Sequence, residues 1–303
     1  MKILLAGGGA FGEEHLKRLA GLDISIALAD PRAERRDQLA ARYPLAETGA
    51  EAALLLEQFA PDGVIIASPA QAHASLATMS LIRNIPVLVE KPVTLDSDTM
   101  RLLVRAQSES RAFLLPGHVL RFSSPHNRVR AILASGEIGD LLHFASRRYR
   151  DCSHVAAYPS IDPVFMTMIH DIDLALWYGG GSADLATAWR PEGASFTAAR
   201  VVSSTGSLWD MRIGWLHRAA APTDRVEIIG TKGSVDLVAD SHLMVHAAES
   251  RREETGPGPD PLGSELACFL AGIREGRLSA PVTAVDALDG IYAAETIVAA
   301  LTR

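Results

Sequence analysis

The chain has 303 residues, of which 48% are hydrophobic and 21% charged, and these proportions exclude an extensively disordered or fibrous protein. A formal net charge of -7 disfavours nucleic acid and anionic membranes as partners, although it leaves small-molecule substrates open. The length suits two domains or one large one.

The cysteines indicate whether a metal site or a disulfide framework is expected, and the apolar runs indicate whether the protein enters a membrane. The two cysteines, Cys152 and Cys268, cannot build a disulfide framework, and neither has the close Cys or His neighbours of a structural zinc site. We therefore predict no metal site and a reducing compartment. Glycines break the N-terminal apolar run before it could form a signal-peptide core. Since no run approaches the roughly 18 apolar residues of a membrane span, the sequence predicts a cytoplasmic protein without membrane association.

The first 120 residues alternate apolar strand-like runs with amphipathic helical runs. Five strands are predicted, in the order KILLAG, ISIALAD, GVIIAS, PVLVE and AFLLPG. Because each right-handed crossover lays its helix on a sheet face, this alternation predicts a doubly wound parallel sheet and an α/β fold.

After Gly117 the pattern changes to a second kind of sheet. A helix over SPHNRVRAILASGEIG leads into the long strand LLHFASRRYR, and a further helix covers DPVFMTMIHDIDLALWYGG. From about residue 195, successive strands follow: ARVVSS, SLWDMRIGW, RVEIIG, SVDLVA and HLMVHAA. Short turns at Thr205-Gly206 and at residues 230–233 predict antiparallel hairpins. A polar loop, ESRREETGPGPDPLG, precedes two helices over about 264–275 and 284–301.

A glycine motif, G-x-G-x-x-G, follows the first strand and opens the first helix, with Gly7, Gly9 and Gly12 as its glycines. The first glycine permits a tight turn, the second lets backbone approach a pyrophosphate, and the third lets helix and strand pack closely. Backbone N–H groups at this helix N-terminus, where Ala10 and Phe11 lie, are available to phosphates. Glycines also accumulate in ordinary turns, but the strand-to-helix context favours a dinucleotide cofactor.

The choice of dinucleotide depends on the end of the second strand. Asp30 lies about 20 residues beyond the motif, where a carboxylate accepts hydrogen bonds from the adenosine ribose hydroxyls. Its charge would repel a 2′-phosphate and so favours NAD. Arg32, Arg35 and Arg36 follow at once and could bind that phosphate, so NADP stays open. The alternative for these arginines is a solvated helix face.

Ser68 and Pro69 end the strand GVIIAS, and His73 follows in the next turn. Ligands of open α/β sheets bind along the carboxyl ends of the strands, so we predict that these three residues contact the cofactor. The alternative is that Ser68 and His73 only cap the following helix.

The strand PVLVE ends in Glu90 and Lys91, immediately before Pro92. A lysine desolvated beside a positively charged nicotinamide loses affinity for its proton, and it can then relay a proton or bind a substrate hydroxyl. The alternative is a structural Lys-Glu pair at a strand end.

Seven segments, in order, resemble the Gfo/Idh/MocA family, named for glucose-fructose oxidoreductase, inositol dehydrogenase and a rhizopine-catabolism protein. They are AGGGAFGEEH, VIIASPAQAHASLA, VEKPVTLD, GHVLRF, GEIGDL, HDIDLALW and EIIGTKGSVDL. The resemblance implies an N-terminal Rossmann domain over 1–119 and a C-terminal α/β domain over 120–303, with a large, mostly antiparallel open sheet often used in oligomerisation. It further implies that Lys91 lies beside nicotinamide and substrate, that Glu90 lies near the nicotinamide ribose, and that the Lys91-Pro92 bond is cis.

His170 lies in the helix predicted over 162–179, on one face with Met166, Asp173 and Trp177. A lone histidine on an apolar helix is most often a core residue. The family resemblance, however, implies that His170 faces the substrate as acid or base.

The same resemblance reveals a departure at Met166, where many dehydrogenases of the family carry an Asp one turn before the histidine. Methionine cannot move a proton. Three readings follow: His170 and Lys91 suffice, a carboxylate such as Asp162 or Asp173 assists, or the reaction is not an ordinary alcohol oxidation.

Arginines crowd the end of the strand LLHFASRRYR. Alternation along a strand places Arg148 with Arg150, and Arg147 with Tyr149, while His154 follows shortly after. These arginines could clamp the carboxylate of a sugar acid or the diphosphate of a nucleotide sugar. The alternative is an exposed strand edge protected from pairing.

These features together predict an NAD(P)-dependent oxidoreductase that transfers a hydride between nicotinamide and a sugar, polyol, sugar acid or nucleotide sugar. Lys91 and His170 are its predicted catalytic residues, and His118, Arg148 and Asp173 its predicted substrate-binding residues. Two other functions stay open: a regulatory dinucleotide-binding protein with reduced catalysis, and an enzyme that uses bound NAD transiently for elimination or hydrolysis. We expect a homo-oligomer, either a dimer or a tetramer.

Overall fold

The computed structural model describes residues 1–153, 161–217, 222–256 and 258–301. The chain forms two compact units. The first unit is Met1–Val119 with Leu262–Leu288, and the second unit is Leu120–Pro261 with Asp289–Arg303. The assignment of 1–119 to cofactor binding and of 120–303 to substrate binding and assembly stays a prediction. Across the described ranges, no helix combines the length and apolar character that crossing a membrane requires.

A parallel sheet of six strands, in the order β3-β2-β1-β4-β5-β6, forms the centre of the first unit. Its strands are β1 (Lys2–Ala6), β2 (Ser25–Ala29), β3 (Leu45–Gly49), β4 (Gly63–Ile66), β5 (Val87–Glu90) and β6 (Leu114–Gly117). The connecting helices are α1 (Ala10–Leu19), α2 (Ala33–Ala40), α3 (Ala52–Gln58), α4 (His73–Ile82) and α5 (Ser97–Ser108). The strand order reverses between β1 and β4, which creates the crevice where doubly wound sheets bind ligands.

The predicted doubly wound sheet is confirmed, but the prediction of five strands was wrong because it omitted β3 and the helix α3. The sequence of β3, LAETG, carries polar residues on a strand whose residues are alternately half-buried and exposed. As an edge strand it lacks the continuous apolar run that marks β1, β4 and β5.

The second unit contains an eight-stranded sheet in the order β14-β13-β12-β11-β7-β10-β9-β8. Its strands are β7 (Leu141–Asp151), β8 (Ala183–Trp189), β9 (Phe196–Ser203), β10 (Leu208–His217), β11 (Arg225–Gly230), β12 (Ser234–Val238), β13 (His242–His246) and β14 (Ser250–Glu254). Only β7 and β10 pair in parallel among the described strands of this sheet. The predicted large, mostly antiparallel sheet is confirmed.

Two strands of this sheet were not predicted. β8 lay in a stretch left without an element, and β14 lay in the segment predicted as a polar loop. The sequence of β14, SRREE, is almost entirely charged, yet it pairs with β13 over five residues. Backbone pairing with a neighbour decides the conformation there, and side-chain character gives no indication of it.

The helices of the second unit lie on one face of its sheet, whose core side chains include Phe144, Trp209 and Ile228, all fully buried. α6 (Ser124–Ala134) precedes β7, and α7 (Ile169–Ala175) is continued on either side by wider helical turns at Val164–Met168 and Leu176–Gly180. This helical segment begins as predicted, since the Asp162 carboxylate accepts a hydrogen bond from the Val164 N–H at 2.8 Å.

Two helices close the described chain, α8 (Pro261–Glu275) and α9 (Ala284–Leu301). α8 belongs to the first unit, where its second half packs against the amino ends of the parallel strands. A Cβ added to Gly63, the first residue of β4, would lie 2.5 Å from Ile273 and 3.2 Å from Phe269. The rings of Phe269 and Phe113 meet edge to face at 5.9 Å.

Candidate functional site

The residues predicted to bind the cofactor gather at the carboxyl edge of the first unit's sheet. Gly7 follows β1, Asp30 follows β2, Ser68 lies just beyond β4, and Glu90 ends β5. Since all six strands are parallel, these positions share one edge of the sheet.

The glycine loop has the backbone that its motif predicts. Gly7 has a φ of +103°, and a Cβ there would lie 2.4 Å from the carbonyl oxygen of Ala67. A Cβ on Gly12 would lie 1.9 Å from the carbonyl oxygen of Gly7, so only glycine allows α1 to approach β1 this closely. Gly9, by contrast, has no protein atom within 4 Å of an added Cβ. Gly9 also precedes the first turn of α1 without any side-chain cap, which leaves the helix N-terminus accessible to an anion.

Asp30 is 2% exposed, and its carboxylate is fixed by backbone N–H groups of Gly8 and Arg32 at 2.8 and 2.9 Å. The Arg32 guanidinium donates two further hydrogen bonds to it, at 2.9 and 2.8 Å. Burial alone would raise the pKa of Asp30, but the hydrogen bonds from Arg32 and Gly8 outweigh it and lower the pKa to about 2. The group is therefore ionised and can accept hydrogen bonds from a ribose.

The other two arginines of this segment also turn toward the glycine loop. Arg35 donates to the Gly8 carbonyl at 2.6 Å and to Glu13 at 2.6 Å, and Arg36 donates to the Asp30 carbonyl at 2.7 Å. The alternative of a solvated helix face is therefore wrong for Arg35 and Arg36, whereas the Arg32 side chain is exposed. These contacts tie α2 to the loop that would hold the pyrophosphate.

His73 is 1% exposed and bridges two loops at the carboxyl edge. Its Nε2 lies 2.7 Å from the Ser68 carbonyl oxygen, and its Nδ1 lies 3.0 Å from the Pro92 carbonyl oxygen. Burial lowers the pKa of His73, against the raising effect of these two carbonyl groups. No side chain caps the helical turns that begin here, so the capping alternative does not hold. His73 instead joins the loop after β4 to the loop after β5.

The Glu-Lys-Pro segment, residues 90–92, lies at the end of β5. The Lys91-Pro92 peptide bond is cis, which confirms the expectation drawn from the family resemblance. Glu90 is 6% exposed, and its Oε1 lies 2.7 Å from Nε2 of His15 on α1. Lys91 is partly buried. Glu90 is thus held toward α1.

His118 follows β6 in the first unit and is 2% exposed. Its backbone N–H donates to the Pro116 carbonyl at 2.8 Å. Its assignment to substrate binding stays a prediction.

The predicted residues of the second unit centre on α7, which carries the partly buried His170. Asp173, one turn later, is 1% exposed and forms an ion pair with Arg121, whose nitrogens lie 2.9 to 3.1 Å from the carboxylate. The Arg121 guanidinium also stands 5.6 Å from the centre of the Trp177 ring. This buried pair joins α7 to the start of the second unit, and contact of Asp173 with a substrate stays a prediction.

The two carboxylates considered as replacements for the missing acid at Met166 are both engaged. Arg190 donates to Asp162 at 2.7 and 2.9 Å, and Arg121 holds Asp173. Each carboxylate is thus held in an arginine ion pair within the second unit. Proton transfer by His170 and by Lys91 stays a prediction.

Arg148 is 4% exposed and lies beneath the sheet of the second unit. It donates to Asp171 at 3.0 and 3.1 Å and also contacts Asp224, which Arg150 joins at 2.8 and 2.9 Å. The predicted pairing of Arg148 with Arg150 on one face is confirmed. Because β7 lies between β11 and β10, the alternative of an exposed strand edge is wrong. Anion binding by Arg148 stays a prediction.

Residue His154, noted beside these arginines in the sequence, lies outside the described residues. Over the described ranges, no group of three or more His, Cys, Asp or Glu side chains has the arrangement of a metal site.

Two buried residues of the first unit were not predicted from the sequence. His15 and Glu265 are both 0% exposed. Neither carboxyl oxygen of Glu265 has a hydrogen-bond partner among the described residues. The signal available for Glu265 was a glutamate directly before the apolar helical run LACFLAGI, on one face with Phe269.

Comparison with known proteins supports the geometry. A family model described as "Oxidoreductase family, NAD-binding Rossmann fold" matches residues 1–118, and one described as "GFO/IDH/MocA C-terminal domain" matches residues 126–236. An inositol 2-dehydrogenase from Streptomyces avermitilis is 26% identical, over 99% of this chain and 91% of that protein. A UDP-N-acetylglucosamine 3-dehydrogenase from Acidithiobacillus ferrooxidans is 28% identical, over 73% of each chain.

A solved structure with the same fold is an oxidoreductase from Agrobacterium radiobacter in complex with NAD+, L-tartaric acid and magnesium. Its TM-score is 0.87 at 19% identity, over 100% of this chain and 96% of that chain.

The first unit, with its glycine loop, its open helix N-terminus and Asp30, defines a Rossmann-type dinucleotide-binding protein. The two family matches, which together cover most of the chain, identify the family within that class. The chain belongs to the Gfo/Idh/MocA family of oxidoreductases, and its first unit contains the family's NAD-binding domain.

The residues present fit NAD. Open space at Gly9 and the uncapped N-terminus of α1 suit a pyrophosphate, and the ionised Asp30 suits ribose hydroxyls.

Proposed function

We propose that this protein is an NAD-dependent dehydrogenase that acts on a CH–OH group of a polyol, sugar, sugar acid or nucleotide sugar. The observation that carries the proposal is the placement of Lys91, directly after β5, on the same sheet edge as the glycine loop. The substrate class is supported by the relatives, which are named as inositol and nucleotide-sugar dehydrogenases.

The proposed roles follow from the chemistry of each side chain. Bound NAD supplies a nicotinamide that accepts or donates a hydride. His170 removes the proton of the substrate hydroxyl, and Lys91 polarises that oxygen or relays the proton. Glu90 and His73 hold the loop from which Lys91 extends, through the contacts to His15, Ser68 and Pro92. Positioning and proton transfer then account for most of the rate acceleration.

NAD is proposed over NADP because Asp30 is ionised at the place where NADP would put a phosphate. Arg32 already pairs with that carboxylate. The positive charge of Arg32 is therefore compensated before any cofactor binds, and Arg32 is not available to a 2′-phosphate.

The function is tested with Lys91→Met, assayed by the absorbance of reduced cofactor against a panel of inositols, sugars, sugar acids and nucleotide sugars. We expect wild-type protein to turn over at least one member of the panel. Lys91→Met should lower kcat by at least about 100-fold, since a positioned proton-transfer group contributes about 10²–10⁴-fold, while NAD affinity stays within a few-fold.

Lys232→Met serves as the matched control, because Lys232 lies in the exposed turn between β11 and β12 of the second unit. Unchanged turnover in Lys91→Met would remove Lys91 from the mechanism. No turnover of any panel member by wild-type protein would favour a binding protein.

We further propose that the protein assembles as a dimer or tetramer in the cytoplasm. The support for assembly is the uncovered face of the second unit's sheet, where Leu185 and Trp189 are 59% and 62% exposed. The support for a reducing compartment is that both cysteines, Cys152 and Cys268, are free thiols.

A further inference from the structure

A cluster of buried titratable side chains lies at the end of β5, and the proposed mechanism gives one of them no role. It consists of His15 on α1, Glu90 on β5 and Glu265 on α8, with exposures of 0%, 6% and 0%. Glu90 and His15 are joined by a contact of 2.7 Å. Glu265 is different, since neither of its oxygens has a hydrogen-bond partner among the described residues.

The packing of α8 places Glu265 at the level of Glu90. Ile273 lies against Gly63 at the amino end of β4, and the eight residues back to Glu265 span about 12 Å of helix. The register pairs Val64 with Val87, so Glu90 lies four residues, or about 13 Å, beyond the level of Gly63. A helix running back toward the carboxyl edge therefore brings the two carboxyl groups to one depth.

The electrostatics agree with this placement. Burial raises the pKa of Glu265 well above its ordinary value, and the neighbouring Glu90 carboxylate raises it further. On α8 itself, burial and then Glu265 raise the pKa of Cys268. Other titratable groups at the carboxyl edge of the sheet include His15, His73 and Lys91, with Asp30 farther along that edge after β2.

We propose that Glu265 is a proton-binding positioning residue of the cofactor half of the site, neutral in the cofactor-free protein and ionised when oxidised NAD is bound. This rests on the proposed function, in which the positive nicotinamide ring binds near Lys91. The O–H bond of Glu265 breaks, the proton passes to solvent, and nothing is oxidised or reduced in this step. The new carboxylate then compensates the positive ring. Reduced NAD has a neutral ring and draws no proton from Glu265.

Proton linkage gives the sign of the pH dependence. Because binding of oxidised NAD releases a proton, its affinity rises with pH, by up to about tenfold per pH unit for each proton released. The affinity for oxidised NAD rises at pH values below the raised pKa of Glu265 and levels off above that pKa. Affinity for reduced NAD stays flat over the same range.

The test is isothermal titration calorimetry of the full chain with oxidised and reduced NAD, in two buffers of different ionisation enthalpy, from about pH 6 to about pH 9. The buffer dependence counts the protons released on binding. Wild-type protein should release protons with oxidised NAD and not with reduced NAD. Glu265→Gln, which keeps the shape of the neutral acid, should abolish that release and flatten the pH dependence.

Glu275→Gln is the matched control, because Glu275 ends the same helix with 54% exposure, and it should behave as wild type. Equal proton release from wild type and Glu265→Gln, or none from wild type, would overturn the inference while leaving cofactor binding intact. Failure of wild type to bind NAD at all would instead overturn the proposed function.

Should Glu265→Gln not fold, infrared difference spectra of the wild type decide the matter. Oxidised NAD should remove the carbonyl band of a buried carboxylic acid, and an unchanged band would overturn the inference.

Discussion

Asp30 and Arg32 lie together at the place where the adenosine ribose is proposed to bind. Two backbone N–H groups hold the Asp30 carboxylate in place whatever the Arg32 side chain does. The Arg32 side chain is 61% exposed, so it has room to move toward solvent, and ribose hydroxyls can then replace its hydrogen bonds to the carboxylate. Arg35 is less free, because it also holds the Gly8 carbonyl.

Asp30→Ala should therefore weaken NAD by more than it weakens NADP. Loss of the carboxylate removes acceptors for the ribose hydroxyls, and it frees Arg32 to meet a 2′-phosphate. We expect the ratio of the two dissociation constants to shift by at least about tenfold toward NADP, or about 1.4 kcal/mol, as measured by calorimetry.

The matched control is Asp98→Ala, an exposed carboxylate in the first turn of α5 whose side chain is 85% exposed. It should leave both dissociation constants unchanged. Equal losses of NAD and NADP affinity in Asp30→Ala would exclude the proposed ribose contact.

The positions predicted correctly at this scale are those that depend on local backbone. Gly7, Gly12 and Asp30 follow strands in a fixed pattern, so their positions can be predicted from sequence. His15 and Glu265 depend on contacts between segments 75 residues or more apart along the chain, and neither has a local signature. Glu265 looks like any polar residue of an amphipathic helix until α8 is placed in the first unit.

At the scale of elements, one buried ion-pair network joins β7 to α7 and to the residue before β11. Arg148 contributes all three of its guanidinium nitrogens, two to Asp171 and one to Asp224. Burial alone would raise the pKa of Asp224, but Arg148 and Arg150 outweigh it and lower that pKa. Asp171 is adjacent to His170, so the network also fixes the helix that carries the proposed catalytic histidine.

Arg148→Met should destabilise the second unit by about 3–5 kcal/mol, because it leaves the buried Asp171 carboxylate without its partner. The measurement is urea unfolding followed by tryptophan fluorescence, since Trp209 and Trp215 lie in the second unit's core. Arg200→Met, which removes an exposed arginine paired with Asp210 on the same sheet, should have little effect. Arg148→Met with wild-type stability and a raised KM would indicate substrate binding in place of a structural role.

The elements missed from sequence share one physical property. β3, β8 and β14 are all edge strands of their sheets, so their conformation comes from pairing with a single neighbour. The buried strands β1, β4 and β5 have continuous apolar runs and were predicted. The parallel pairing of β7 with β10 links strands far apart in sequence, which no local pattern shows.

At the scale of the whole molecule, the sheet of the second unit has one covered and one open face. Leu185, Trp189 and Val202 lie on the open face, with exposures of 59%, 62% and 40%, and Leu185 pairs directly with Val202. Adjacent exposed apolar side chains of this kind are typical of protein interfaces.

Trp189→Glu combined with Leu185→Glu should shift the protein from dimer or tetramer toward monomer, as measured by size-exclusion chromatography with light scattering. Placing two charges on a desolvated interface costs several kcal/mol. Leu102→Glu, at a position 67% exposed on α5 of the first unit, is the matched control and should leave the mass unchanged. An unchanged mass in the double variant, or a monomeric wild type, would exclude this face as the interface.

The central claim is that NAD binds along the carboxyl edge of the first unit's sheet with its nicotinamide end at Lys91. A crystal structure of the protein with NAD tests this most directly. We expect the pyrophosphate at Gly9 and the N-terminus of α1, the adenosine ribose hydroxyls on Asp30, and the nicotinamide within about one water molecule's reach of the Lys91 amine. A cofactor whose ring lies farther from Lys91 than that, or whose ribose leaves Asp30 paired only with Arg32, would contradict the account.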